Sequence, residues 1–369
     1  MTPPRPGGSR RAATGSSWAR PGEELDIPAL AAYLAAHLPG VEGEVTARQF
    51  PAGYSNLTYL VVVGAQEYVL RRPPLGVDIA TAHDMLREYR VLCGLCRVYD
   101  RVPRPVLACD DPAVLGAPFY LMARIPGVVL RAGSSLPDVP PAVMAGLAAA
   151  TIDNLAAIHS LDIDAAGLRE LGKPAGYVAR QVHGWARRYA AAKTHPQPKL
   201  EAALTWLDEH RPSAPRGHPG TAIIHNDYKY DNLLVDADDW TRIVAVLDWE
   251  MATLGDPLLD LGTTLGYWME PGDPPALVEM FGLTTLPGNP TRDQVVARYA
   301  VASSRDLPDL VFYFVYGMVK VGVILQQLHA RYVRGQSRDP RLATLDRAVT
   351  ACGLLAARAI AAGRISGLQ

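Results

Sequence analysis

Residues 221–256 read TAIIHNDYKYDNLLVDADDWTRIVAVLDWEMATLGD, and the rest of the 369-residue chain is organised around them. Three apolar runs of strand length lie here, Ala222–Ile224, Leu233–Val235 and 243–247. The first and last each end in a polar cluster that includes an aspartate. His225-Asn226-Asp227 is followed at fixed distance by Lys229 and Asn232, giving the pattern H-x-D-x-K-x-x-N. After a hairpin-like segment comes Asp248-Trp249-Glu250. Strands delivering acids to one rim are the geometry this arrangement predicts.

Phosphoryl transfer calls for these residue types. An acidic residue must orient the attacking hydroxyl and accept its proton, while an amide oxygen and a second carboxylate hold the magnesium that bridges the nucleotide phosphates. Asp227 fits the first role, and Asn232 with Asp248 fits the second. Lys229 is placed to neutralise charge on the transferring phosphate, and His225 to position the loop through hydrogen bonds. Hard oxygen donors suit Mg2+, which keeps several waters and takes one or two protein groups. Any one of these residues alone would be ordinary turn chemistry, because Asp and Asn cap their own backbone. It is their order, each just past an apolar run, that makes a site.

Together with the run GDPLLDLG at 255–262, these residues resemble the catalytic and metal loops of the aminoglycoside phosphotransferase and choline kinase branch of the protein-kinase-like fold. Trp249-Glu250 stands where protein kinases carry Phe-Gly. The resemblance implies an α+β, two-lobed architecture: a small antiparallel-sheet lobe over 23–122 and a mainly helical lobe over 123–369. It also implies ATP as co-substrate with Mg2+, bound where the lobes meet.

Composition is consistent with such an enzyme. Hydrophobic residues make up 49% of the chain, enough to fill a core. With 36 basic and 37 acidic side chains the net charge is -1, so no global field points to nucleic acid. The longest apolar segment, 310–325, is interrupted by Lys320 and followed by Gln326-Gln327. It reads as a buried helix, with no membrane partner implied. Four cysteines, at 93, 96, 109 and 352, do not form a disulfide scaffold in a chain this long. Cys93-x-x-Cys96 has no second pair or nearby histidines and reads as small buried side chains. A reducing cytoplasm is expected. Residues 1–22, rich in Pro, Gly, Ser and Arg, read as a disordered tail.

In the small lobe, 27–38 has helical periodicity with Asp26 as N-cap. Segments 45–50, 57–63 and 67–71 read as consecutive antiparallel strands, with a turn at 64–66. The turn at 51–56 holds Gly53, Ser55 and Asn56 where a kinase's loop lies over the nucleotide phosphates. Arg71 ends the third strand, where protein kinases carry a phosphate-contacting lysine. Arg72 is the choice if the register slips by one, although alternation puts it on the other face. A helix over 79–95 carries Glu88, which the resemblance pairs with the strand-three cation. Strands 106–109 and 118–122, joined by a turn at 110–112, lead to Met122 and Ala123, where the adenine would bond the backbone.

Helices are expected over 140–160, 176–192 and 198–210 before the site, and over 292–302, 309–332 and 340–363 after it. Arg180, Trp185 and Arg188, with Tyr313, Tyr316 and Lys320 at i, i+3, i+7 spacing, are candidates to line the acceptor pocket. These cations, with Arg331, favour an anionic small-molecule acceptor. Asp256 is expected to cap a helix, and Asp260 to tie that helix to the catalytic loop. The order SNLTY, VLRRPP, REYR, HNDYKYDN, LDWE most resembles the kinase-like domain found fused to some acyl-CoA dehydrogenases and free-standing in bacteria. That implies a hydroxyl acceptor on a hydroxy acid or its acyl-CoA ester. An aminoglycoside kinase and a non-catalytic pseudokinase are the rival readings, and the apolar C-terminal helices fit a core and a dimer face alike.

Overall fold

A computed structural model describes residues 19–40, 42–50, 56–74, 85–131, 139–212 and 220–368. Its contacts divide into two units, Met1–Cys93 with Pro103–Ile125, and Gly94–Val102 with Pro126–Gln369.

In the first unit α1 (Ile27–His37) begins as its sequence predicts. Asp26 accepts a hydrogen bond from the Ala29 N–H at 2.9 Å, and a proline occupies the first turn. Three strands follow, β1 (Val45–Gln49), β2 (Leu57–Val63) and β3 (Gln66–Arg72). Beyond them lie α2 (Met85–Leu95), β4 (Pro105–Cys109), the one-turn α3 (Pro112–Leu115) and β5 (Phe119–Ala123). The strands form one antiparallel sheet in the order β1-β2-β3-β5-β4. Alternation along β2 buries Leu57, Tyr59, Val61 and Val63 against Leu30, Leu34, Leu70 and Phe119. The turn expected at 110–112 is instead a helix start, with Asp111 capping the Ala113 N–H at 2.8 Å ahead of Pro112. The expected phosphate-covering turn over 51–55, and the first part of the 79–95 helix, lie outside the described residues.

The second unit opens with β6 (Val128–Val129), α4 (Pro141–Ile158), α5 (Tyr177–Ala192) and α6 (Pro198–Glu209). The site-bearing stretch supplies β7 (Ala222–Ile224), β8 (Leu233–Val235), β9 (Ile243–Val246) and β10 (Thr253–Gly255). It pairs them as β7–β10 and β6–β8–β9, all antiparallel. Then come α7 (Pro257–Tyr267), α8 (Pro275–Phe281), α9 (Arg292–Ser303), α10 (Leu310–Val333) and α11 (Leu345–Ala362). The seven-residue α8 carries too few turns for its periodicity to stand out in the sequence.

Both α4 and α10 are long and apolar enough to cross a membrane, yet 78% of the most apolar window of α10 is buried inside the protein. That helix is the centre of the unit and packs against α7, α11 and α5. Its crossing with α7 is a backbone contact: a Cβ at Gly317 would lie 1.9 Å from the Gly262 carbonyl oxygen, and one at Gly262 would lie 2.1 Å from that of Tyr313. Only glycine fits at either point. The close approach sets Lys320, one turn beyond Gly317, beside Thr263 of α7 at 3.3 Å. None of the four cysteines forms a disulfide, and Cys93 is half-buried and Cys96 exposed rather than buried as their spacing suggested.

Candidate active site

β7 is buried along its whole length and delivers the chain to His225-Asn226-Asp227. Helix α7 then holds this loop. Asp256 caps α7 by accepting from the Leu258 N–H at 2.8 Å, and one turn on Asp260 is fully buried. Its carboxylate accepts from the backbone N–H groups of His225 and Asn226, both at 2.7 Å, and faces Nε2 of His159 at 3.1 Å. Burial alone would favour the protonated acid. The His159 hydrogen bond and the surrounding cationic groups outweigh it and hold Asp260 below the usual carboxylate range. The expected tie between helix and loop is therefore a pair of charge-assisted bonds.

His225 is buried, which lowers its pKa and keeps the imidazole neutral. Its Nε2 faces the Leu247 carbonyl at 2.9 Å and its Nδ1 accepts from the Asp227 N–H at 3.2 Å, so the geometry assigns the proton to Nε2. Both nitrogens are engaged by backbone, as a positioning residue requires.

Asp227 lies at the centre of a short network. Lys229 Nζ is 2.7 Å from its Oδ2 and 4.4 Å from the centre of the Tyr267 ring. Burial works against the ammonium charge, but the Asp227 carboxylate more than offsets it and Lys229 is held above the usual lysine range. Asn232 donates its amide to the Asp227 carbonyl at 2.8 Å and to Oδ2 at 2.9 Å. With its NH2 directed there, the amide oxygen is the atom left to meet a cation. Asp248 follows β9 by two residues with φ 64°. Leu233 pairs with Val246, and the Leu247 N–H donates to Asn232 O at 2.8 Å, so the ladder sets 232 and 248 at adjoining strand ends. An amide oxygen and a carboxylate are the hard donors magnesium prefers. Among the described residues no group of three or more His, Cys, Asp or Glu offers a softer or denser site.

In the first unit Arg71 Nη1 donates to Glu88 Oε1 at 2.5 Å, with 10% and 1% of the two side chains exposed. Arg72 points to the other face, donating to the carbonyls of Leu115, Glu23 and Glu24 at 2.9 to 3.0 Å. The pleat thus decides between the two arginines. Asn56 is buried at the head of β2, whereas Ser55 lies outside the described residues. Met122 is buried opposite Val69. The Ala123 N–H, offered in the sequence reading as a partner for adenine, is engaged by the Arg104 carbonyl at 2.8 Å.

Sequence reading missed the small recess beside Lys229, whose walls include Asp231, Tyr267, Trp268, Phe281 and Thr284. These come from separate elements and share no spacing. The residues expected to line an acceptor pocket lie elsewhere. Tyr313, Tyr316 and Lys320 are core residues, with Tyr313 OH donating to Asp256 at 3.2 Å and Tyr316 OH accepting from Trp185 Nε1 at 3.1 Å. Arg188 stacks on the buried Trp185, Arg180 donates to the carbonyls of Lys173 and Ala175, and Arg331 is exposed near the end of α10. None of these cations lines the recess.

A protein-kinase-like fold carrying this loop defines a kinase-type phosphotransferase. The sequence profile of the Phosphotransferase enzyme family matches residues 46–294, and the chain belongs to that family. It is 32% identical over 323 residues to acyl-CoA dehydrogenase family member 11 of Rattus norvegicus, covering 86% of this chain and 41% of that protein. It is 34% identical over 331 residues to the Gallus gallus counterpart, covering 88% and 42%. The chain thus spans about two fifths of the length of these relatives. A solved Ralstonia eutropha JMP134 protein described as an aminoglycoside phosphotransferase superposes with TM-score 0.75 at 31% identity, over 89% of this chain and 97% of that one. The GDP complex of aminoglycoside 2'-phosphotransferase-IIIa shares the fold at TM-score 0.57 and 16% identity, over 88% and 99%.

Proposed function

We propose that this chain transfers the γ-phosphoryl group of ATP to a hydroxyl of a small-molecule acceptor. Asp227 orients the hydroxyl and takes its proton. Lys229 offsets charge on the transferring group from the other side of the same carboxylate. Arg71, steadied by Glu88, contacts the nucleotide phosphates. Asn232 and Asp248 would hold magnesium, which when bound neutralises phosphate charge. The observation that carries this reading is the placement of Asp227 Oδ2 against both Lys229 Nζ and Asn232 Nδ2, at 2.7 and 2.9 Å. Asp227→Asn is expected to cut turnover by roughly a hundredfold or more while ATP binding persists. Unchanged turnover would remove Asp227 from the base role.

The acceptor we propose is a hydroxy acid or its acyl-CoA ester. The relatives' names speak of acyl-CoA chemistry, and four of the ten residues lining the recess are aromatic, with Asp231 the one acid among them and Lys229 the one cation. Burial raises the pKa of Asp231 against the pull of Lys229 and Arg131. Four cysteines without a disulfide fit a reducing, ATP-containing compartment such as the cytoplasm. ATP consumption measured across hydroxy acids, their CoA esters and aminoglycosides decides the class. Consumption with aminoglycosides alone would overturn the acyl reading, and none with any acceptor would favour a pseudokinase.

A further inference from the structure

We infer that Lys320 is a positioning residue for the catalytic loop: from α10 its ammonium holds the Asn226–Asp227 peptide plane, and with it the Asp227 carboxylate, in the orientation the reaction uses. This rests on the function proposed above for Asp227, but its geometry is independent of the acceptor.

The peptide plane between Asn226 and Asp227 has two polar ends. Its oxygen receives Lys320 Nζ at 2.5 Å, and its N–H donates to His225 Nδ1 at 3.2 Å. The preceding peptide is held by Asp260 through the Asn226 N–H at 2.7 Å. A buried cation from α10 and a buried anion from α7 therefore take the carbonyl and the amide of one residue, Asn226, whose φ of 68° lies in the left-handed region. The remaining ammonium protons reach Asn226 Oδ1 and Thr263 Oγ1, both at 3.3 Å. Only 1% of Lys320 is exposed.

Stability does not account for a lysine here. Its neighbours on α10, Val319 and Val321, are buried and apolar. The charged and titratable groups around it are Asp260 on α7, Asp227 and Lys229 in the loop, and Arg188 with Tyr177 on α5. Burial outweighs the attraction of Asp260 and Asp227, and the Lys320 pKa is pushed down to about 8. An unfolded lysine keeps its proton to higher pH, so the buried charge opposes folding at neutral pH and that opposition is relieved as pH rises. What the charge provides is its hold on the Asn226 carbonyl.

Lys320→Met in the full chain is the test, read by magnesium-dependent ATP turnover, by thermal melting and by hydrogen exchange at the amides of His225, Asn226 and Asp227. The expected result is a kcat lower by roughly ten- to a hundredfold, a KM for ATP changed by less than about twofold, an undiminished Tm and faster exchange at those amides. In the wild type kcat should decline above about pH 8, and the substituted enzyme should lack that limb. Wild-type kcat with unaltered exchange would overturn the inference, as would a loss of kcat that only tracks a lowered Tm. Should the variant not fold, wild-type exchange across the alkaline range decides: acceleration at these amides beyond the intrinsic pH dependence supports the clamp, and its absence refutes it. Failure to consume ATP at all would sink the proposed function, while exchange would still judge the clamp.

Discussion

Replacing Asp260 with asparagine preserves shape and removes one charge, and the geometry states what should follow. The carboxylate serves three donors: the His225 N–H and His159 Nε2 on one oxygen, and the Asn226 N–H on the other. An amide keeps one oxygen, so its NH2 must face one of the two backbone N–H groups and leave that buried donor without an acceptor. An orphaned buried N–H costs about 1–3 kcal/mol, and loss of the charge from the remaining bonds brings the total to about 3–5 kcal/mol, the range for breaking a buried charged contact. At about 2–4 °C per kcal/mol for a unit of this size, Tm should fall by roughly 10 °C. Scanning fluorimetry measures this, and initial rates below the melting range should show kcat lower by about a hundredfold as Asp227 loses its orientation. The pH dependence carries a sign. Asp260 is held below the usual carboxylate range when folded, so its contribution is complete above the unfolded pKa and disappears as pH falls through the lower folded value. The two melting curves should therefore converge on acidification. A variant within a degree or so of the wild type, or a gap that does not narrow on acidification, would refute the assignment.

Two further substitutions test residues outside the catalytic loop. Arg71→Met takes from the buried Glu88 its 2.5 Å partner and should cost about 3 kcal/mol of stability, with the KM for ATP raised tenfold or more; an unchanged KM in a folded variant removes Arg71 from the nucleotide site. Gly317→Ala sets a Cβ 1.9 Å from the Gly262 carbonyl oxygen, with backbone on both sides. The α7–α10 crossing must then open, and a loss of about 3 kcal/mol or more in chemical denaturation is expected, along with reduced turnover. Wild-type stability there would mean that the helices cross more loosely than described.

How the loop residues come together was legible in the sequence because it is local. His225 to Asn232 spans eight residues, and the strands on either side fix where each side chain falls. The same holds for Arg71 over Arg72, where the period of two in β3 was enough. What failed was placement across elements. Tyr313, Tyr316 and Lys320 do share one face of α10, but helical periodicity gives a face without saying what it meets, and here it meets the core and the catalytic loop. The recess assembles Phe281 of a seven-residue helix with Trp268 just past the end of another. The α7–α10 contact depends on glycines, which carry no hydrophobic signal at all.

The two pieces of the site that periodicity could not anticipate share one property. Asn226, which precedes the proposed base, and Asp248, a proposed metal ligand, have φ of 68° and 64°. Asn and Asp adopt this region more readily than other residues with a side chain, though still at a cost relative to glycine. The motif thus uses these residues for conformation as well as chemistry. At Asn226 the strained turn is secured from several sides: Asp260 takes the amide, Lys320 the carbonyl, and Met251 O with Tyr177 OH the side-chain NH2 at 3.0 and 3.2 Å. Strain of this kind persists only where the surroundings over-determine it. A glycine at 226 would relax the backbone and keep the two main-chain bonds, but would surrender the side-chain anchors to Met251, Tyr177 and Lys320. If conformation alone mattered, Asn226→Gly would be harmless; if the anchors matter as the geometry says, it should lower kcat without lowering the affinity for ATP.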